Sequence, residues 1–131
     1  MRFQIIAAMS LAVVAGVTGV GAQAQPKRPA EACFLSRDWQ GWKASPDSRS
    51  IYLRVGVNKI FRLDLSSACP ELQRPNARLI TKIRGGPWIC HPLDLDLLVS
   101  DGPGFSVPCI VKGISALTPE QAAALPKPLR P

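Results

Sequence analysis

Histidine occurs once in this chain of 131 residues, at position 91, and tyrosine once, at position 52. A single imidazole rules out a metal centre built on several histidines and leaves any Ser-His-Asp or His-carboxylate mechanism dependent on His91 alone. There is no G-x-S-x-G, so Ser106 and the other serines have no nucleophile-elbow context and nothing places one beside His91. No glycine-rich loop leads into a helix to cradle a phosphate. The four cysteines are spaced 36, 21 and 19 positions apart, without a C-x-x-C. That excludes a zinc knuckle, a redox dithiol and a haem-attachment motif.

What chemistry remains is one cluster, His91 with Asp94, Asp96 and Asp101, which would serve a small hydrolase or a metal-dependent enzyme. The spacing argues against it. On one uninterrupted strand His91 and Asp94 face opposite ways, and Pro92 interrupts that strand. Asp94 and Asp96 share a face, yet a polar face opposite leucines is what any one-sided strand needs. No catalytic residue, metal or cofactor is therefore expected, and an enzyme is the alternative rather than the leading reading.

Residues 1–24 have the pattern expected of an export signal: Arg2, an apolar run from Ile5 to Val20, and the small-x-small triplet Ala22-Gln23-Ala24. The rival is a retained membrane anchor, for which the Ala and Gly content is poor. Cys33 follows the charged segment PKRPAEA, not a lipobox, so no lipid anchor is expected. Cleavage leaves 107 of the 131 residues, a domain whose core is marginal without staples. All four cysteines, Cys33, Cys69, Cys90 and Cys109, lie in that part, which predicts two disulfides and an oxidising compartment, periplasmic or secreted. Cys33 opens the first strand and Cys109 the last, so the expected pairs are Cys33 with Cys109 and Cys69 with Cys90. The formal net charge of +7 favours anionic partners. In an exported chain those are anionic lipids or envelope polysaccharides rather than nucleic acid, and no transmembrane segment is expected after cleavage.

Residues 25–32 predict a flexible leader, and the fold is expected over 33–126. Its clearest part is Ile51 to Leu65. Ile51, Leu53 and Val55 alternate with Tyr52 and Arg54, and Phe61, Leu63 and Leu65 alternate with Arg62 and Asp64, the pattern of two half-buried strands. A three-residue loop, Val57-Asn58-Lys59, sets Val55 opposite Phe61 and Leu53 opposite Leu63. Arg54 then faces Arg62 and Tyr52 faces Asp64. Two guanidiniums so placed repel, and either Asp64 compensates them or they grip an anion with Tyr52 and Lys59 beside them.

Upstream, Arg37 to Ser50 has the composition of a long turn, with Trp39 and Trp42 packed over one end of the sheet or forming a stacking platform for a sugar or base. Downstream, Arg78 to Arg84 predicts a strand stopped by Gly85-Gly86-Pro87, and Trp88 to His91 its returning partner. Leu93 to Val99 predicts a further strand with its leucines on one face, Asp101 to Gly104 a turn, and Cys109 to Ile114 the last strand. Thr118, Pro119 and Gln121 form the N-cap, N1 and N3 of a short helix through about Leu125. Pro126 ends it, and 127–131 predicts an extended, Pro-rich tail.

Taken together, the export signal, Cys33-Phe34, the turn from Asp38 to Trp42, IYLRVG, FRLDL, Cys69-Pro-x-Leu, Trp88-Ile-Cys90, Pro108-Cys109-Ile-Val and LTPEQAAALP resemble a domain-of-unknown-function family of small secreted Gram-negative bacterial proteins. The resemblance implies a β-rich exported domain and no assigned activity, so it transfers no functional residue.

The expected fold is mainly β: a small disulfide-stapled antiparallel sheet or partly open barrel of about six strands with a short C-terminal helix. The expected function is that of an exported binding or structural module for an anionic envelope component. A secreted inhibitor of lysozymes fits the size, but those targets are usually basic and call for an acidic face.

Overall fold

In the computed structural model, which describes residues 33–131, the strands are β1 (Phe34–Leu35), β2 (Trp39–Ala44), β3 (Ser50–Val55), β4 (Lys59–Leu65), β5 (Arg78–Ile83), β6 (Trp88–Ile89), β7 (Leu95–Ser100), β8 (Ser106–Pro108) and β9 (Val111–Ala116), followed by helix α1 (Pro119–Ala124). They form three antiparallel sheets, in the orders β2-β3-β4-β9, β5-β7-β8 and β1-β6, with no closed barrel. The mainly-β, disulfide-stapled class expected from the sequence is the one observed. The export signal and leader expected over 1–32 lie outside the described residues.

Alternation decides what is inside. Ile51, Leu53 and Val55 of β3 and Phe61, Leu63 and Leu65 of β4 turn inward and meet Leu95, Leu97 and Val99 of β7, with Phe34, Leu72 and Ile89 completing one core. Burying each of the larger side chains contributes about 1.5–3 kcal/mol. Phe34 joins the parts, its ring 4.7 Å from Phe61 and 6.4 Å, edge-on, from Trp39.

The β3–β4 hairpin has a three-residue loop, but one residue earlier than expected. Gly56 takes a φ of 61°, so Gly56-Val57-Asn58 makes the turn and Val55 stands opposite Lys59, Leu53 opposite Phe61 and Ile51 opposite Leu63. The slip is two positions along the partner strand. Side chains therefore keep their faces while their cross-strand partners change.

The stretch from Arg37 to Ser50 is not a long turn; it contains β2. A bulge between Trp39 and Gly41 adds one residue, so Trp39 faces Val55 and Trp42 faces Leu53 although they are three apart. That odd spacing hides the strand from an alternation rule. The turn after β2 is tied to the second half of the chain: the Cys69 amide donates to the Ser48 carbonyl at 2.9 Å, and Gln73 Nε2 donates to Ser45 O and Ser48 Oγ at 2.8 and 3.1 Å.

β5 pairs with β7, not with Trp88 to His91. The turn at Gly85, whose φ is 80°, releases the chain, and Ile89 gains full burial by pairing with Phe34 of β1. This pairing also corrects the cysteine connectivity. Phe34 opposite Ile89 brings their neighbours Cys33 and Cys90 together, and the disulfides are Cys33–Cys90 and Cys69–Cys109.

Cys109 to Ile114 is not one strand, because the chain changes sheet there. The Cys109 amide donates to Leu97 O in one sheet, and the Ile110 carbonyl accepts from Ser66 at the end of the other, both at 2.9 Å. Leu93 does not join the leucine face of β7. It lies in a 3-10 turn, Pro92–Asp94, and is 83% exposed.

The helix forms as expected, with Thr118 Oγ1 accepting from the Gln121 amide and Gln121 Oε1 from the Thr118 amide. The tail is not extended. Lys127–Leu129 is a 3-10 turn against β2, and Arg130 donates to the carbonyls of Leu125 and Ala123 at 2.8 and 2.9 Å, satisfying the helix's last acceptors. Among the described residues no helix is long and apolar enough to cross a membrane.

Candidate functional site

The outer face of the β2-β3-β4-β9 sheet gathers the charged side chains that the inner face excludes. Register sets Lys43 of β2 opposite Tyr52 of β3, Tyr52 opposite Arg62 of β4, and Arg62 opposite Ser115 of β9. In the next outer row Arg54 lies between Gly41 and Ile60. Gly41 lets two groups approach there, since a Cβ on it would come 3.9 Å from Arg54 Nη2 and 3.9 Å from the backbone carbonyl carbon of Pro131. The third row holds Ser50, Asp64 and Gly113.

Arg54 and Arg62 are thus diagonal neighbours around Tyr52, not directly opposed as the expected register had them. Asp64 is the face's compensating carboxylate: its Oδ1 accepts from Arg62 Nε at 2.7 Å and from Ser50 Oγ at 3.0 Å. Arg62 is 43% exposed in its side chain, so the pair contributes at most about 1 kcal/mol and leaves donors turned to solvent. Lys43 and Arg54 are exposed.

Lys59 does not belong to this group. Opposite Val55, it has inner-face parity and lines a different cleft, with Asp38 and Trp88. Sequence reasoning missed three cations that the topology adds. Lys43 requires recognising β2, while Arg49 and Lys112 border a shallow cleft of about 340 Å³ with Arg62, Asp64 and Asp47. Asp47 is held below the usual carboxylate range, first by the Ser45 hydroxyl and then by the Arg49 amide. Five cationic side chains gather here against two side-chain carboxylates, Asp47 and Asp64, and the Pro131 carbonyl carbon lies beside Gly41.

The His91 cluster is dispersed. Asp94 accepts the amides of Cys90 and His91 at 2.9 and 2.8 Å, which lowers its pKa and uses it as a turn cap. Asp96 is gripped by Arg84 through two nitrogens at 2.7–2.9 Å, and Asp101 by Arg74. Ser106 pairs with Ser100 at the far end of β7, about 17 Å along the strand from the His91 end. Among the described residues no three His, Cys, Asp or Glu side chains are grouped as a metal ligand set. Trp39 and Trp42 are half-buried against the core, and their open sides, with Leu79 and Thr81, line a cleft of about 300 Å³ between β2 and β5.

The model of the family of unknown function DUF6491 matches residues 1–130. The chain belongs to that family. No curated protein and no solved structure matches it. DUF6491 membership supplies no activity or ligand, and the candidate site therefore stands on the geometry of Lys43, Tyr52, Arg54 and Arg62 alone.

Proposed function

We propose that this DUF6491 chain is an exported, periplasmic or secreted, module that binds an anionic component of the Gram-negative cell envelope through the outer face of its four-stranded sheet. The observation that carries the reading is the placement of Lys43 and Arg62 on either side of Tyr52, with Arg54 diagonal to Arg62 and one side-chain carboxylate, Asp64, among them. Guanidinium forks suit carboxylate and phosphate oxygens, the lysine adds a mobile point charge, and the phenol adds a donor. The two disulfides support export, since such bonds persist in oxidising compartments. So does the signal pattern over 1–24.

The test uses a soluble polyanion without acyl chains, polygalacturonate, titrated into the disulfide-intact protein by calorimetry at low and high salt. Binding is expected at low salt, weakening as salt rises, and lost in a Lys43→Gln, Arg54→Gln double variant that melts as the parent does. Equal binding by the double variant, or none by the parent at low salt, would remove the proposal.

A further inference from the structure

We infer that the outer face of the β5-β7-β8 sheet docks onto an anionic lipid surface. Register places Ile80, Leu98 and Pro108 in one cross-strand row on that face, where a one-sided sheet would carry polar residues. Beside the row stand Leu93 and Ile110, 83% and 67% exposed. With Leu98 and Pro108 they line a shallow apolar cleft of about 330 Å³.

Two features distinguish this patch from scattered surface leucines. Leu93 is held outward, because the turn that contains it is pinned by Asp94 accepting the Cys90 and His91 amides. The rim is cationic: Lys82 and Arg84 border the cleft, and Arg78 stands opposite Ser100 on the same face. Of the nearby carboxylates, Asp96 opposite Lys82 is held by Arg84 and Asp101 beside Ser100 by Arg74, and among the described residues neither Lys82 nor Arg78 forms an ion pair.

Exposed aliphatic side chains ringed by Lys and Arg match a bilayer surface, with the aliphatics entering the acyl boundary and the cations meeting headgroup phosphates. A second copy fits less well. Symmetric pairing through this face would press Lys82 and Arg78 towards their own counterparts while the nearby carboxylates, Asp96 and Asp101, are engaged by Arg84 and Arg74. The inference is independent of the anion face on the other sheet, since it uses none of Lys43, Tyr52, Arg54 or Arg62.

The experiment is co-sedimentation of the full-chain product, disulfides intact and in the form the producing cell leaves it, with two kinds of vesicle: phosphatidylglycerol and phosphatidylcholine in equal parts, and phosphatidylcholine alone. Binding is expected on the anionic vesicles only. A Leu93→Ser, Ile110→Ser double variant should bind about tenfold more weakly, since two aliphatic side chains no longer enter the bilayer boundary. Val57→Ser removes an equally exposed apolar residue, 86% exposed, from the hairpin loop and should bind as the parent. The inference is overturned if the Leu93/Ile110 variant binds like the parent, if Val57→Ser loses as much, or if uncharged vesicles bind equally. A parent dimer that the Leu93/Ile110 variant dissociates in analytical ultracentrifugation would likewise overturn it and assign the face to a second copy.

Discussion

Arg62 donates from Nε to Oδ1 of Asp64 at 2.7 Å, on the same strand and the same face. The carboxylate therefore competes with any external anion for the guanidinium. Replacing Asp64 with Asn removes that competitor and leaves an oxygen able to accept from Ser50. Asp64→Asn is expected to raise polygalacturonate affinity by about 2- to 5-fold at low salt, the size of one partly exposed ion pair, and to change stability by less than about 1 kcal/mol. Calorimetry beside a urea melt checks both parts; weaker binding by Asp64→Asn would contradict the competition.

Ser48 is the one non-glycine residue with positive φ among those described, at 57°, and it is buried. Its carbonyl receives the Cys69 amide and its hydroxyl receives Gln73. A β-branched residue tolerates that backbone poorly. Ser48→Val is expected to destabilise by about 2 kcal/mol or more, whereas Ser48→Gly, which relieves the backbone while losing one hydrogen bond, should stay within about 1 kcal/mol of the parent. Urea denaturation of the two variants compares them directly.

Each disulfide closes a long stretch of chain, with sequence separations of 57 and 40. Non-reducing peptide mapping should recover Cys33 with Cys90 and Cys69 with Cys109. In the chain-entropy account, replacing either pair by serines costs about 4 kcal/mol, a large part of the stability of a domain this size. Recovery of a Cys33–Cys109 peptide would contradict the β1–β6 pairing as well as the connectivity.

Three carboxyls are held below the ordinary range in the folded chain and contribute to the acid limb of stability. Asp94 is lowered by the Cys90 and His91 amides, Asp101 by Arg74, and Asp47 by the Ser45 hydroxyl, all from an ordinary 3.8. A native pKa below the unfolded one means that the contribution is fully present above about pH 4 and is lost as the pH falls through the lowered native values. Urea midpoints measured during acidification should therefore decline below about pH 4, and Asp94→Asn should flatten that decline. An unchanged slope in Asp94→Asn would show that the turn does not depend on the charge of its cap.

Much of the fold was legible because period-two patterns report burial directly. The inward residues of β3 and β4, the strand from Arg78, Leu95 to Val99 and the capping box at Thr118 all follow from local spacing. What escaped was of two kinds. β2 was hidden by the bulge that puts Trp39 and Trp42 on one face at odd spacing, and the hairpin register by Gly56, which sits inside an alternating run yet begins the turn. The cysteine pairs escaped because β6 leaves its sequence neighbour for β1, a long-range choice driven by the burial of Ile89 beside Phe34. The candidate site inherited both kinds of error: Tyr52, Arg54 and Arg62 were visible on one hairpin, Lys59 was misassigned to their face, and Lys43, Arg49 and Lys112 depended on contacts beyond it.

Tyr52 is the single tyrosine of the chain, and it stands between Lys43 and Arg62. Its ring resonances are therefore an unambiguous reporter at the centre of the proposed anion face. Titrating polygalacturonate at low salt into the disulfide-intact protein, with the aromatic and arginine side-chain region followed by NMR, is the most direct measurement. The account predicts saturable shifts of the Tyr52 ring and of the Arg54 and Arg62 Nε–H signals that vanish when salt is raised. Saturable shifts confined to other surfaces, with Tyr52 unmoved, would contradict it.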